Sequence, residues 1–381
     1  MKTYGYGHQS IDEADIQSVL DVLRGDYLTC GPAVRAFEKA VCDYTGAKYC
    51  VAVANATAGL HIAAMAAGLG PGDEAITTPI TFLSSANCIA FTGAKPVFAD
   101  IIPATANIDP DEIAKRITSK TKALIPVHFA GQSCDMERIA AIARAHNLIV
   151  IEDAAHAIGS DYLPYGQSNN QTIEQSNNSR VGSCKYSDMT VFSFHPVKTI
   201  TTGEGGAVTT NDPDLYAKLC AYRAHGTHKD GEMAQTWEYE MRELGYNYRI
   251  TDFQCALGVS QLKKLDDFKR RRREIVAYYN ANLGLPHLEE AAFSNACFHL
   301  YPILVENRRE FYFKAREVGL NLQVHYIPVH TQPYYRETYG YKIGDYPNAE
   351  AYYAKCISLP LYPSLSDGDL AEIVRRIKGI L

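Results

Sequence analysis

Residues 148–159 read Leu-Ile-Val-Ile-Glu-Asp-Ala-Ala-His-Ala-Ile-Gly, an apolar run of four that ends on two acids. A short apolar run bounded by polar residues reads as a buried strand, and helical periodicity over residues 136–146 puts a helix just before it. Outward from there the alternation repeats. Further strand candidates fall at residues 49–53, 74–77, 96–98, 123–127 and 190–194, with another helix over 109–117. Strands alternating with crossover helices build a mostly parallel sheet covered on both faces, so the fold class is α/β. Ligands of such sheets bind outside the carboxyl ends of the strands. Asp153 stands at one of those ends.

A chain of 381 residues with 46% apolar content can bury one large core and a smaller one, which predicts two domains, residues 1–250 and 251–381. Ser10 with Glu13, and Thr251 with Gln254, have capping-box spacing ahead of helical runs. The basic run 269–273 reads as a solvated helix face. A net charge of -6 offers no diffuse basic surface for nucleic acid. Ten scattered cysteines without a Cys-x-x-Cys pair argue against a metal site or a disulfide scaffold. The polar residues 1–16 lack the apolar run of a signal peptide, so a cytoplasmic protein is expected. Residues 50–70 are small and apolar over a membrane-like length, but Asn55, Thr57 and His61 interrupt them and Pro71-Gly-Asp73 stops them, so no membrane span is expected. Residues 166–180, rich in Asn, Gln and Ser, read as an exposed insertion.

Four segments carry chemistry. Asp153 either bonds the ring nitrogen of a pyridine cofactor, keeping it protonated and electron-withdrawing, or caps the Ala-rich stretch that follows. Ser193-Phe-His-Pro-Val-Lys198 runs into Thr-Ile-Thr-Thr-Gly203-Glu-Gly-Gly206. A lysine between an apolar strand and a glycine-rich turn suits a Schiff base with pyridoxal phosphate (PLP); a phosphate-binding lysine is the other reading, though the Gly-x-x-x-x-Gly-Lys-Ser/Thr spacing is absent. Free lysine titrates near about 10.4, so Lys198 needs burial or a cationic neighbour to serve as nucleophile and then as base. Asn55-Ala-Thr57-Ala-Gly59 opens a helix after a strand and is either an anion site for the cofactor phosphate or an ordinary cap; Ser193 adds a hydroxyl. Phe82, in Thr77-Thr-Pro-Ile-Thr-Phe82, follows another strand end, where its ring lies on the pyridine face or joins the core. No Gly-x-Gly-x-x-Gly follows an early strand, which weakens a NAD-binding reading.

In these motifs the chain resembles the PLP fold type I aminotransferases of the DegT type, which act on nucleotide-linked keto sugars; the likeness spans about residues 5–370. It rests on Ile151-Glu-Asp153-Ala-Ala-His156-Ala-Ile-Gly159 and on Phe192-Ser-Phe-His-Pro-Val-Lys198 with Gly203-Glu-Gly-Gly-Ala207. The resemblance implies a large PLP-binding domain around a mostly parallel seven-stranded sheet, and a smaller C-terminal α+β domain. It implies that Lys198 bonds PLP, that Asp153 pairs with the pyridine nitrogen, and that His156 lies near the ring and its 3-hydroxyl. Phe82 falls at the stacking position, and Ala56, Thr57 and Ser193 at the phosphate.

Gly245-Tyr-Asn247-Tyr-Arg249 is similar to the segment whose asparagine reaches the partner subunit's phosphate site, which implies a homodimer. Leu28-Thr29, Ile80-Thr-Phe82, Arg223-Ala-His225-Gly226, Gln323-Val-His325-Tyr326 and Ile357-Ser-Leu-Pro360 resemble most the branch of pseudaminic-acid biosynthesis. Its members aminate carbon 4 of a UDP-linked 2-acetamido-2,6-dideoxy-4-keto hexose, with L-glutamate as donor. The substrate contacts implied are Tyr6, Thr29, Arg223, His228, Arg249, His325 and Tyr326. Cys30 departs from the family, which has Gln there, and residues 166–180 are a longer insertion. Sugar dehydratases related to these enzymes carry His in place of the lysine, which Lys198 argues against. A dTDP-sugar or carbon-3 specificity and a PLP-binding regulator without turnover stay open as alternatives.

Overall fold

Seven strands form the central sheet of the computed structural model, which describes residues 2–164, 179–229 and 231–381. They are β1 (Tyr49–Val53), β2 (Glu74–Thr77), β3 (Lys95–Phe98), β4 (Thr121–Ile125), β5 (Ile149–Asp153), β6 (Met189–Ser193) and β7 (Gly206–Thr210). Their order across the sheet is β1-β7-β6-β5-β4-β2-β3. β7 runs antiparallel to both neighbours, and the other pairs are parallel. The seven-stranded, mostly parallel α/β sheet expected from the sequence is present, with β5 extending through Asp153 and β4 sitting two residues earlier than predicted.

β7 was missing from the apolar-run candidates because Gly206-Ala-Val-Thr-Thr210 is buried without being apolar. Its hydroxyls find carbonyls instead: Thr209 Oγ1 donates to Gly182 O at 2.8 Å and Thr210 Oγ1 to Asp188 O at 2.7 Å. A buried hydroxyl is tolerated once it is hydrogen-bonded.

Helices α1 (Glu13–Leu23), α2 (Pro32–Thr45), α3 (Ala56–Ala66), α4 (Ser84–Phe91) and α5 (Asp252–Leu262) pack around this sheet, and α6 (Leu265–Leu283) leads away from it. The Ser10–Glu13 capping box is corrected. Asp12 caps α1, accepting from the Asp15 N–H at 3.1 Å while its own N–H reaches Asp15 Oδ2 at 3.0 Å. Lys264 Nζ bridges both carboxylates, at 2.8 and 2.5 Å, and selects this register over the other. At α5 the expected box forms, with the Thr251 N–H on Gln254 Oε1 at 3.1 Å.

The C-terminal layer pairs Tyr301–Leu304 with Cys356–Leu359 and buries Ile275, Tyr279, Ile303, Phe311 and Ile373 against one another. Tyr4–Gly5 joins this layer by pairing with Leu320–Asn321. The solvated reading of residues 269–273 is also corrected: Arg272 is fully buried and donates to the carbonyls of Phe298 (3.1 Å) and Leu361 (2.9 Å). Residues 50–70 are β1 and α3, and no helix among the described residues is long and apolar enough to cross a membrane. Of the Asn/Gln/Ser-rich segment, residues 166–178 lie outside the described residues, and Ser179–Arg180 pairs with Asp161–Tyr162.

Candidate active site

The carboxyl ends of β1, β2, β5 and β6 open on one edge of the sheet, and the reversed β7 starts there, Gly206 pairing with both Val53 and Ser193. Gly206 is required at this point. A Cβ on it would lie 2.7 Å from Ala56 N and from Asn55 C, so the glycine lets β7 close on the start of α3. Asn55 caps α3, its Oδ1 accepting from the Ala58 N–H at 2.9 Å. The first N–H groups of a helix have no intrahelical partner and carry its positive dipole end, and they point at whatever lies above.

Above this edge lies a cavity of about 880 Å³. Ala56, Thr57, Phe82, Asp153, His156, Ser193 and Lys198 line it, together with Tyr6, His325 and Tyr326. Residues from both ends of the chain thus meet here. The Tyr6 ring packs 4.9 Å from that of His325, and the Tyr6 carbonyl accepts from the Leu361 N–H at 3.0 Å.

Lys198 follows β6 in a tight loop, its N–H on His195 O at 2.9 Å. Burial pushes its amine down to about 8, opposed by the nearby Asp153 carboxylate. Asp153 is itself buried, which raises its carboxyl above the ordinary value. Against that, Ser85 Oγ donates to its Oδ2 at 2.6 Å and the Ala155 N–H to its Oδ1 at 3.1 Å. Two backbone bonds hold the strand end: the Asp153 N–H on Pro126 O (2.9 Å) and the His128 N–H on Asp153 O (3.0 Å).

His156 Nε2 lies 3.1 Å from the Tyr326 hydroxyl, while its buried Nδ1 has no hydrogen-bond partner among the described residues. Burial, then Lys198 and His325, hold the imidazole well below its ordinary pKa, so it is neutral at pH 7. Burial likewise brings His325, whose Nδ1 is 2.8 Å from Ser358 Oγ, down to about 3. Thr57 Oγ1 sits 2.6 Å from Ser84 Oγ in the first turn of α3, and Phe82, 58% exposed, faces the cavity with its ring 6.2 Å from that of Tyr326.

This donor set fits PLP. A buried carboxylate, an amine with a lowered pKa, a helix N-terminus flanked by hydroxyls, an aromatic ring and an orphaned buried nitrogen, His156 Nδ1, share one cavity.

Thr29, Arg223, His228, Asn247 and Arg249 do not line it. Arg223 Nη1 bonds Glu38 Oε1 at 2.6 Å and Ala52 O at 2.9 Å, so its charge is committed within the fold. His228 pairs with Glu243 at 3.0 Å, Thr29 bridges to Thr251, and Asn247 is exposed on a bridge to Ala224. Cys30 takes a positive φ of 57° beside Thr29. Sequence reasoning missed Ser85 and His299. His299 is 3% exposed, its ring 4.5 Å from that of His156, and a lone histidine within Phe298-His-Leu300 carries no signal that separates it from core.

The sequence profile of the DegT/DnrJ/EryC1/StrS aminotransferase family matches residues 9–378. The chain is 41% identical over 393 residues to the spore coat polysaccharide biosynthesis protein SpsC of Bacillus subtilis, covering 99% of this chain and 96% of that protein. It is 36% identical over 390 residues to the UDP-4-amino-4,6-dideoxy-N-acetyl-beta-L-altrosamine transaminase of Campylobacter jejuni, covering 99% and 97%. Against the solved structure of Helicobacter pylori PseC, an aminotransferase involved in the biosynthesis of pseudoaminic acid, the TM-score is 0.89 at 31% identity, covering 100% of this chain and 99% of that one. The chain therefore belongs to the DegT/DnrJ/EryC1/StrS aminotransferase family and is a PLP-dependent sugar aminotransferase.

Proposed function

We propose that this protein transfers the amino group of L-glutamate to carbon 4 of a UDP-linked 2-acetamido-2,6-dideoxy-4-keto hexose, a step of pseudaminic-acid biosynthesis. The observation that carries the reading is the convergence of Lys198, Asp153 and the start of α3 on one cavity. The likeness to the Campylobacter transaminase and to PseC supports the choice of sugar.

When bound, PLP supplies an electron-accepting ring and a carbonyl that exchanges amines. Lys198 Nζ, with its pKa pushed down to about 8, is available as a neutral nucleophile and then as the base and acid that carries a proton between the reacting carbons. Asp153 holds a proton at the ring nitrogen. The N–H groups at the start of α3, with the Thr57 and Ser193 hydroxyls, would hold the phosphate. Phe82 would stack on the cofactor ring, and His156 would lie near its hydroxyl. Tyr6, His325 and Tyr326 present neutral hydrogen-bonding groups to the sugar. In a cytoplasmic homodimer, the exposed Asn247, with Thr29, His228 and Arg249, would serve the partner's site.

The test is the absorbance of the holoenzyme, followed first with L-glutamate and then with the UDP-linked 4-keto-6-deoxy sugar. Bleaching of the long-wavelength cofactor band by glutamate and its return with the sugar support the proposal. Bleaching without return removes the sugar assignment alone. Lys198→Ala is expected to lose steady-state transamination; a variant near the parent rate would refute the role of the lysine.

A further inference from the structure

Ser85, in the first turn of α4, is fully buried and sits behind the catalytic carboxylate. Its Oγ donates to Asp153 Oδ2 at 2.6 Å, and Thr81 Oγ1 lies 2.6 Å from the same Oγ. An ionised carboxylate only accepts, and a serine has one proton to give. The proton of Ser85 therefore goes to Asp153, and Thr81 donates to Ser85, a chain directed from the cavity wall to the carboxylate. Short O–H···O⁻ bonds of this kind are the strong ones. The same serine also fastens the turn that carries the stacking ring, its N–H reaching Phe82 O at 3.3 Å.

We infer that Ser85 is a positioning residue that locks the Asp153 carboxylate and the Thr81–Phe82 turn into one unit, and so sets where the proton rests between Asp153 and a pyridine nitrogen. The inference rests on the assignment of Asp153 to that nitrogen.

With Ser85 on Oδ2 and the Ala155 N–H on Oδ1, both oxygens are held, so the carboxylate cannot rotate away from the cavity. Burial alone favours the protonated acid, and the two donors act against it. The titratable groups around Asp153 are Lys198 and His128, which also favour the carboxylate, and Cys88, Cys134 and Tyr326, kept neutral by burial. Losing the Ser85 donor destabilises the carboxylate relative to the acid. The proton shared with the ring nitrogen then shifts toward Asp153, and the ring withdraws electrons less well.

The experiment compares Ser85→Ala, Thr81→Val and Asp153→Asn with the parent, each reconstituted with PLP labelled with nitrogen-15 in the ring. The ring-nitrogen chemical shift is followed with pH, alongside PLP affinity, kcat and KM for the glutamate half-reaction. In Ser85→Ala the signal is expected to move toward unprotonated pyridine. Its kcat should fall about tenfold to a hundredfold, the loss of one hydrogen bond to a charged group, with little change in KM. Thr81→Val should shift the same quantities in the same direction by less. Ser85→Ala with the parent's nitrogen shift and kcat, while Asp153→Asn is impaired, overturns the inference and leaves the role of Asp153 intact; so does a variant that only melts earlier. If Asp153→Asn itself keeps the parent's nitrogen shift, the assignment of Asp153 falls, and the inference with it.

Discussion

Lys198 shows how a residue's chemistry depends on its surroundings. Moving its pKa from 10.5 to about 8 requires only that water be stripped from the ammonium, and the Asp153 carboxylate limits the fall. The sign has two consequences. The neutral amine, which attacks a carbonyl, accumulates above about pH 8, so the rate at which apoenzyme captures PLP should rise through that pH and then level, as stopped-flow absorbance would show. Between about 8 and 10.5 the unfolded chain binds a proton at Lys198 that the folded chain does not. This residue's contribution to stability therefore improves as pH rises across that window, a slope that Lys198→Met should remove from urea-denaturation midpoints of the apoprotein. At this scale the places of Lys198, Asp153 and Phe82 along the cavity were legible because each announces itself by its nearest neighbours: an apolar strand behind and glycines or hydroxyls ahead. Arg223 was not, because Glu38, the partner that absorbs its charge, lies 185 positions away in the chain.

Among the elements, the junction of β7 with α3 is the most demanding. Gly206 stands where β7 meets the backbone of Asn55 and Ala56, and no rotamer change relieves a Cβ placed against backbone. Gly206→Ala should cost about 1–3 kcal/mol in stability, the usual range for forced overpacking, and should weaken PLP binding at the displaced helix start. Calorimetric melting and PLP titration of the apoenzyme check the two halves. Normal PLP affinity in a destabilised variant would separate the junction from the phosphate site. Element positions were read well where the apolar run was continuous, as in β1, and missed in β7, where threonine hydroxyls bonded to carbonyls take the place of apolar side chains. At α1 the cap falls on Asp12 instead of Ser10, and Lys264, from far along the chain, bridges the Asp12 and Asp15 carboxylates of that box.

For the whole molecule, Arg272 ties α6 to two segments that converge on the cavity: the 298–299 loop, which carries His299, and Leu361, whose N–H meets the carbonyl of Tyr6. It is fully buried without a carboxylate partner among the described residues, and burial lowers its guanidinium to about 10. Arg272→Met keeps the stem but leaves the Phe298 and Leu361 carbonyls unsatisfied, a cost of roughly 1–3 kcal/mol for each. The expected outcome is a Tm several degrees lower, with loosened packing at His299 that near-ultraviolet circular dichroism should register. A Tm equal to the parent's would show that water replaces the guanidinium there.

The sequence by itself determined the α/β class and the strand-end positions of the residues that line the cavity, Lys198 among them, because all of these are written in local patterns: apolar runs, caps and glycine-rich turns. Only the tertiary structure decided which charges face the cavity, which hydroxyl holds Asp153 and why residue 206 is glycine. Those depend on pairings between residues far apart in the chain, and burial sets their strength, while a run of residue types carries no record of which distant group supplies the partner.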